Sequence, residues 1–311
     1  MMRVAIFTDE VGWHTRSLQR ALRERGAEGR CLDLADCRID TTHAWHGLVL
    51  PGYGRELPDA ALVRGIAAGS FEQVTKRLGV LHALRELGVP VYNDARAIER
   101  SVDKSMTTLL LHAAGIPTPP TWALESPELA QRLVMRESAA GRTLVLKPLF
   151  GSQGKDLRRV GHVDGAHVPL PPLTGRYGAL AYLQRFVAPM QSPGFDWRVL
   201  VVGGAAIAAM RRVSEHWVRN VAQGARCEAQ ALTGDEGRAL AGIAEAAAQA
   251  LGIDYAGVDL IPTPDGPCVL EVNGVAAWQG LQRVTPRPIA RAIVDDLFDR
   301  RIGAAAHERR A

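Results

Sequence analysis

Two apolar segments near the end of the chain carry acidic and amide side chains, and they constrain the fold most strongly. Ala256–Ile261 and Val269–Asn273 are separated by a turn rich in proline and glycine, a pattern typical of a β-hairpin. Because side chains alternate between the two faces of a strand, Glu271 and Asn273 share one face, and an even pairing register adds Asp259 to it. Such oxygen ligands suit Mg²⁺ shared with a nucleotide. The alternative is a half-exposed hairpin on which polar and core residues simply alternate.

The composition indicates a multidomain protein without a nucleic-acid or membrane partner. A chain of 311 residues with 47% hydrophobic content can bury a large core, so we expect two or three domains around one cleft. The net charge is +4, with 37 basic residues interspersed among 33 acidic ones, which suits a local anion site better than a nucleic-acid surface. The longest weakly polar run, Val199–Met210, is too short to span a bilayer. Four cysteines without metal-site spacing or disulfide density favour the reducing cytoplasm.

Strand and helix signals divide the chain into three units and a short tail. Residues 1–92 alternate short apolar strands with helices, which predicts an open α/β sheet. Residues 93–187 and 188–303 mix strands and helices in the α+β manner, and the second of these units contains the strongest strands. Those strands meet at Gly203-Gly204, which predicts an antiparallel hairpin. Residues 304–311 form a tail.

Two lysines occupy positions where a nearby anion would stabilise them. Lys147 ends the apolar strand Leu144–Lys147, and Pro148 prevents its easy continuation. Lys104 lies early in a predicted helix, where a cation is unfavourable beside the positive helix end. Solvated surface lysines are the alternative interpretation of both.

A glycine-containing turn and two arginines provide further candidate anion contacts. The turn Gly151–Gly154 can direct backbone amides at phosphates, although Lys155 is followed by Asp156 and the Walker A pattern therefore fails. Arg198 and Arg211 lie on neighbouring strands of the Gly203-Gly204 hairpin, where guanidinium groups suit bidentate contact with phosphate or carboxylate. An ordinary turn and outward-facing arginines are the alternatives.

The order of these motifs resembles that of the ATP-grasp superfamily, within the group of glutathione synthetases and RimK-type α-L-glutamate ligases. The resemblance covers about residues 90 to 300. It rests on the following segments: Val102-Asp-Lys104, Leu144-Val-Leu-Lys147-Pro, Gly151-Ser-Gln-Gly154, Leu183-Gln-Arg-Phe-Val187, Asp196-Trp-Arg198, Ala209-Met-Arg211, Arg219-Asn220, Gly257-Val-Asp259 and Glu271-Val-Asn273.

The resemblance implies two α+β subdomains that hold ATP between them, behind an N-terminal open α/β domain, the pre-ATP-grasp domain, which helps to hold substrate. It also implies roles for particular residues. The phosphates are expected to contact Lys104, Lys147 and Arg219, under a lid loop formed by Gly151, Ser152, Gln153 and Gly154. The adenine hinge is Gln184, Arg185, Phe186 and Val187, and Asp196 approaches the ribose. The catalytic side chains are Arg198, Arg211 and Asn220, and the ligands of Mg²⁺ or Mn²⁺ are Asp259, Glu271 and Asn273.

Two positions depart from the pattern of the relatives. Arg185 stands where many of them carry Glu, so we expect adenine contacts from the hinge backbone rather than from this side chain. After Asn273 many relatives continue Ala-Ser-Pro-Gly, whereas this chain has the segment Gly274–Trp278. This loop is expected near the acceptor, so the identity of the acceptor is left open.

The activity implied by the resemblance is ATP-dependent ligation of a carboxylate to an amine through an acyl phosphate. L-Glutamate is the expected amine, and the acceptor is expected to be a small molecule or coenzyme. Ala68–Val74 and Trp217–Val221 resemble relatives that act on tetrahydromethanopterin- or methylofuran-type one-carbon carriers. The alternatives are glutamylation of a protein C-terminus, synthesis of a glutathione-like peptide, and a regulatory ATP-binding protein without ligase activity. Relatives also suggest a homo-oligomer.

Overall fold

Three main β-sheets organise the protein. A computed structural model describes residues 1–42, 45–151 and 154–303. The sheets contain four, five and five strands, and a two-stranded ribbon accompanies the first. Within these ranges no helix combines the length and apolar character needed to cross a membrane. The fold is mixed α/β and α+β, as the sequence predicted.

The first sheet is parallel and has helices beside it. Its unit contains β1 (Met2–Phe7), α1 (Trp13–Glu24), β2 (Ala27–Leu32), β3 (Arg38–Ile39), β4 (Leu48–Val49), β5 (Ala60–Val63), α2 (Phe71–Glu86) and β6 (Val91–Tyr92). The strand order is β2-β1-β5-β6, and β3 pairs separately with β4. Ser70 begins α2 by accepting a hydrogen bond from the Gln73 amide. In such a sheet, loops at the carboxyl ends of β1 and β5 form a crevice, where ligands commonly bind.

The second sheet is antiparallel. Its unit contains α3 (Ala95–Val102), α4 (Lys104–Ala113), β7 (Thr121–Leu124), α5 (Pro127–Ala139), β8 (Thr143–Lys147), β9 (Arg158–Val163), β10 (Ala166–Val168) and β11 (Ala181–Arg185). The strand order is β10-β9-β8-β11-β7. Leu144, Leu146 and Leu183 pack on one face against Val134 of α5. Side chains one position away, including Lys147, therefore lie on the opposite face.

The third sheet is also antiparallel and carries the two predicted hairpins. Its unit contains β12 (Gly194–Val202), β13 (Ala205–Ser214), β14 (Arg226–Gln230), α6 (Gly234–Leu251), β15 (Tyr255–Thr263), β16 (Gly266–Asn273), α7 (Gln279–Gln282) and α8 (Ile289–Asp296), followed by a π-helical segment, Leu297–Ile302. The strand order is β14-β13-β12-β15-β16. Leu240, Ala244 and Leu251 of α6 pack against one face of this sheet. On the other face Leu200, Val202 and Met210 pack with residues of α8, and polar side chains occupy the rest of that face.

Buried hydrogen bonds join the first and third units. Asn93 is fully buried, and its side-chain oxygen accepts hydrogen bonds from the amides of Asp254 and Tyr255 at 2.8 and 2.9 Å. Its amide nitrogen donates to the carbonyl of Gly274 at 2.5 Å. The Tyr255 hydroxyl donates to the carbonyl of Val63 at 3.0 Å. These bonds fix the end of β16 against the crevice of the first sheet.

Candidate active site

Strand pairing collects acidic side chains on the face of the third sheet opposite α6. Asp259 lies directly across from Glu271, and Gly257 lies across from Asn273. Arg198 lies across from Asp259 on the other side. Residues directly opposite each other point to the same face. The register required to bring the predicted metal ligands to one face is therefore present.

A buried network of arginines and aspartates forms the base of this face. Arg198 binds Asp259 in a bidentate manner, with Nε–Oδ1 and Nη2–Oδ2 distances of 2.7 Å each. Arg212 donates to Asp196 at 2.7 Å and lies 3.1 Å from Asp259. Burial by itself raises the pKa of Asp259, but Arg198 and Arg212 outweigh burial and hold that pKa below its usual range. At Asp196 burial prevails over Arg212 and raises the pKa.

Both predicted lysines reach this face from the second unit. Lys104 donates to the carbonyl of Gly151 at 2.8 Å, and its Nζ lies 3.9 Å from Glu271 Oε1. Lys147 donates to Gln184 Oε1 at 2.7 Å. Burial lowers the pKa of Lys147 to about 8; Glu271 opposes the shift and Lys104 adds to it. The cations of the second unit therefore meet the acidic strand of the third.

The predicted hinge runs along the edge of the same cleft. The amide of Phe186 donates to the carbonyl of Thr143 at 2.9 Å, and Val187 follows. The Phe186 ring lies 6.0 Å from that of Trp217, and the guanidinium of Arg159 lies over both rings at 5.8 and 6.0 Å. This stack joins the hinge to the loop that follows β13.

The side chain of Arg185 points away from the cleft. It donates to Glu137 of α5 at 2.8 Å and lies over the ring of Trp122. Strand alternation is the reason, because Gln184 faces the cleft and its neighbour in β11 must face α5. The charged network with Glu137 gives Arg185 a structural partner far from any nucleotide in the cleft.

The lid segment approaches the loop that carries Asn220. Gly154 has a φ of +69°, and a Cβ placed there would lie 2.5 Å from Val218 Cγ1 and 2.6 Å from Asn220 Oδ1. Only glycine fits this contact without displacement. Ser152 and Gln153, which were also assigned to the lid, lie outside the described residues.

Arg219 contributes a buried cation with spare hydrogen-bonding capacity. The residue is 5% exposed, and its Nε has no hydrogen-bond partner among the described residues. Burial lowers its pKa, an effect that the charge of Asp196 opposes. An unpaired buried guanidinium nitrogen is costly, and an anionic ligand would satisfy it.

Arg211 is not brought to this site, which corrects its assignment as a catalytic residue. Its Nε donates to Gln230 at 2.8 Å, its Nη2 lies 3.3 Å from Glu236 of α6, and its guanidinium lies over the ring of Phe195. Arg212, the next residue, lies across from Asp196. It was not assigned to the site from the sequence, because the resemblance placed Arg211 there.

The charge balance and donor set of the face fit a nucleotide with a divalent cation. The cationic residues Lys104, Lys147, Arg198, Arg212 and Arg219 outnumber the carboxylates Asp196, Asp259 and Glu271. The described part of the chain has no cluster of three or more His, Cys, Asp and Glu side chains that could bind a metal by themselves. Two carboxylates and an amide oxygen would leave positions for phosphate oxygens and water, as Mg²⁺ prefers.

The loop after β16 is held by residues of the first unit. His14 Nε2 accepts hydrogen bonds from the amides of Trp278 and Gln279 at 3.1 and 3.2 Å. Arg64 donates to the carbonyl of Val275 at 3.1 Å and lies over the Trp278 ring. His14 thus binds the backbone of this loop.

Comparison with known proteins gives consistent matches along the chain. The family model described as the RimK-like ATP-grasp domain matches residues 101–297, and the RimK PreATP-grasp domain model matches residues 2–98. The tetrahydromethanopterin:α-L-glutamate ligase of Methanosarcina acetivorans is 33% identical, with 90% of this chain and 94% of the relative covered. A probable α-L-glutamate ligase of Hydrogenovibrio crunogenus is 31% identical, with 94% of each covered.

Solved structures agree in fold. The ATP-grasp ligase PsnB, complexed with minimal precursor, Mg and ADP, superposes with a TM-score of 0.65 at 22% identity. The superposition covers 94% of this chain and 97% of that chain. At this level of identity the likeness describes the architecture.

Proposed function

This chain belongs to the RimK-like ATP-grasp family, and from that membership we propose that it uses ATP and Mg²⁺ to add L-glutamate to a small-molecule or coenzyme carboxylate. The observation that carries the proposal is the meeting of Lys104 and Lys147 with the face that bears Asp259 and Glu271. Cations from one subdomain and oxygen ligands from another then surround one triphosphate.

Different residues of the site bind different parts of the nucleotide. Lys104, Lys147 and the buried Arg219 bind phosphate oxygens, and the Gly154 end of the lid closes over them. The backbone of the hinge lies where adenine is to be read, and Asp196 lies toward the ribose. Asp259, Glu271 and Asn273 hold Mg²⁺, which when bound neutralises phosphate charge.

Ligation proceeds in two displacements that need no protein nucleophile. A substrate carboxylate oxygen attacks the γ-phosphorus of ATP, the bond to the β-phosphate oxygen breaks, and ADP leaves with an acyl phosphate formed. The uncharged amine of glutamate then attacks the acyl carbon, phosphate departs with the carbon–oxygen bond pair, and the amine loses a proton to solvent. Lys147 and Arg212 stabilise the charge that develops on the transferred group, and lid closure excludes water from the acyl phosphate.

The choice of acceptor rests with the loop Gly274–Trp278 and the crevice of the first sheet. His14 and Arg64 of the first unit bind the backbone of this loop, so the loop and the crevice adjoin each other. The acceptor therefore enters between the first and third units. A pterin-linked carboxylate of the tetrahydromethanopterin type is the favoured acceptor, supported by the 33% identical relative from Methanosarcina acetivorans.

The proposal is tested by supplying the protein with ATP, Mg²⁺, labelled L-glutamate and a panel of acceptor carboxylates. We expect ADP and phosphate in equal amounts and a product heavier than its acceptor by one or more glutamate residues. Hydroxylamine in place of glutamate should trap the acyl phosphate as a hydroxamate. Release of AMP, or failure of every acceptor to stimulate ADP formation while nucleotide still binds, contradicts the proposal.

A further inference from the structure

A chain of hydrogen bonds runs from Lys147 into the interior of the second sheet. The Lys147 ammonium donates to Gln184 Oε1 at 2.7 Å, and Gln184 Nε2 donates to the Thr121 hydroxyl at 3.2 Å. That hydroxyl donates to the carbonyl of Pro119 at 2.8 Å. Gln184 is 1% exposed, so its amide is shielded from water that would otherwise satisfy it.

The chain can run in one direction only. The Lys147 ammonium can only donate hydrogen bonds, so Gln184 must present its oxygen to Lys147 and its amide hydrogens to Thr121. If the oxygen and nitrogen of the Gln184 amide were exchanged, the amide hydrogens would face the Lys147 ammonium and the amide oxygen would face Thr121. Because β11 and β7 pair with Gln184 directly across from Thr121, the backbone holds both side chains in place.

Lys147 needs such a support because a carboxylate is near. Its four-carbon stem is flexible, and the charge of Glu271 acts on the ammonium across the cleft. Without the hydrogen bond to Gln184, the Lys147 ammonium would be free to turn toward Glu271, and the two charges would neutralise each other. A carboxylate at position 184 would hold Lys147 equally well but would cancel its charge. The amide of Gln184 is neutral, so the positive charge remains available to an anion.

We propose that the Gln184 side chain is a positioning residue for Lys147, oriented by the hydroxyl of Thr121 and distinct from the hinge backbone of the same residue. It directs the ammonium toward the phosphate site while leaving its charge uncompensated. The inference rests on the proposed function, in which Lys147 binds phosphate.

The test compares Thr121→Val with Thr121→Ser. Valine retains the shape but removes the hydroxyl, whereas serine retains the hydroxyl. We expect Thr121→Val and Gln184→Leu to raise the Kd for Mg²⁺ with a non-hydrolysable ATP analogue by about tenfold, the effect of one charge-assisted hydrogen bond. Thr121→Ser should stay within about twofold of the wild type. Gln184→Glu should also weaken binding, because it keeps the contact but cancels the charge.

A matched control and a nucleotide-free measurement separate positioning from a general effect on the fold. Thr143→Val is the control, because the Thr143 hydroxyl donates to the carbonyl of His162 in the neighbouring strand, away from Lys147. The rate at which acetic anhydride acylates Lys147 is followed by peptide mass spectrometry in protein without nucleotide. The rate should fall several-fold in Thr121→Val and Gln184→Leu, because an ammonium paired with Glu271 keeps its proton and reacts more slowly. It should remain unchanged in Thr121→Ser and Thr143→Val.

The outcomes distinguish this inference from the proposed function. If the wild type fails to bind nucleotide but the acylation pattern holds, the proposed function is wrong and the positioning of Lys147 stands. If Thr121→Val and Gln184→Leu match the wild type in acylation rate and, where nucleotide binds, in Kd, the inference is overturned. A change of equal size in Thr143→Val also overturns it, since the effect then belongs to the sheet as a whole.

Discussion

Arg211 and Arg212 adjoin in sequence but have opposite environments. Arg211 lies at the edge of the α6 face beside the half-exposed Glu236, where an ion pair contributes little. Arg212 is 3% exposed and lies between two carboxylates. Burial by itself lowers the pKa of Arg212, but Asp259 and Asp196 outweigh burial and raise that pKa, so its charge is permanent. Position on the strand, rather than residue type, gives one arginine a role in the site.

Exchanging each arginine for glutamine tests this difference. We expect Arg212→Gln to lower kcat/KM by about 100-fold or more, as removal of a preorganised cation does. It should also cost about 3–5 kcal/mol of stability, because Asp196 and Asp259 lose a partner within the interior. Arg211→Gln should change stability by less than about 1 kcal/mol. ADP release and thermal unfolding measure both variants. Similar losses from the two substitutions would show that the effect of an arginine on activity and stability does not depend on which face of the strand it occupies.

His14 links the stability of the acceptor loop to pH. Burial, together with the charge of Arg64, lowers the pKa of His14 to about 4. In the unfolded chain a histidine binds a proton at about pH 6.5. Between these values the unfolded state binds more protons, so stability contributed here is present above pH 6.5 and is lost as pH falls toward 4.

The prediction for His14 is therefore a difference in pH dependence. Glutamine at position 14 can still accept a backbone hydrogen bond but does not titrate. Between pH 7 and pH 5 we expect the Tm of the wild type to fall more steeply than that of His14→Gln, measured by differential scanning calorimetry. Parallel curves for the two proteins would show that His14 is protonated equally in both states.

Two β-bulges explain which parts of the site the sequence predicted and which it did not. Both hairpins were predicted correctly from alternation and turn residues. Regular pairing from Val202 and Ala205 places Arg211 across from Asp196, but the register shifts by one residue between Leu200 and Val201. Alternation along a single strand does not reveal an extra residue in that strand. Arg212 rather than Arg211 therefore lies on the face that bears Asp196 and Asp259.

The second bulge has the opposite consequence. Pairing of Leu260 with Val269 would continue regularly to Asp259 with Leu270, but a shift places Glu271 there instead. The expected meeting of Asp259 and Glu271 thus depends on a local irregularity. Sequence alternation within Glu271–Asn273 identified the shared face of that pair, whereas the alignment with Asp259 is fixed by packing of Val269 and Leu260 against α6.

The contact of the lid segment with the Asn220 loop gives a prediction at the level of elements. Gly154→Ala and Gly165→Ala both place a side chain at positive φ, which costs about 1–2 kcal/mol. A Cβ at Gly165 meets nothing within 4 Å, whereas one at Gly154 collides with Val218 and Asn220. We expect both variants to lose Tm, Gly154→Ala more because of the collision, but only Gly154→Ala should raise the KM for ATP, by about tenfold or more, because small displacements in a site are costly. Equal KM values would show that the two segments need not touch during turnover.

At the scale of the whole molecule, each unit supplies one part of the candidate site. The second unit supplies Lys147, the third supplies Asp259 and Glu271, and the first holds the loop after β16 through His14 of α1. Since no single unit contains all three, nucleotide binding should stiffen the assembly rather than one domain. The change in Tm on adding nucleotide and metal together then tests whether residues of the three units meet around one ligand.

A non-hydrolysable ATP analogue should raise the Tm of the wild type, and Mg²⁺ should increase that shift, because a ligand bound at 100 times its Kd stabilises the folded state by about 2.7 kcal/mol. Glu271→Gln should keep the shift given by the analogue alone and lose the increment due to Mg²⁺. Lys147→Ala should lose most of the shift under both conditions. Glu271 is partly exposed, so Glu271→Gln should unfold near the wild-type temperature without ligand. Lys147→Ala leaves the buried oxygen of Gln184 without its partner, so its Tm without ligand should be lower, and its shifts are read against that value. A full Mg²⁺ increment in Glu271→Gln would place the metal elsewhere, and it would separate the oxygen ligands of β16 from the phosphates that Lys147 binds.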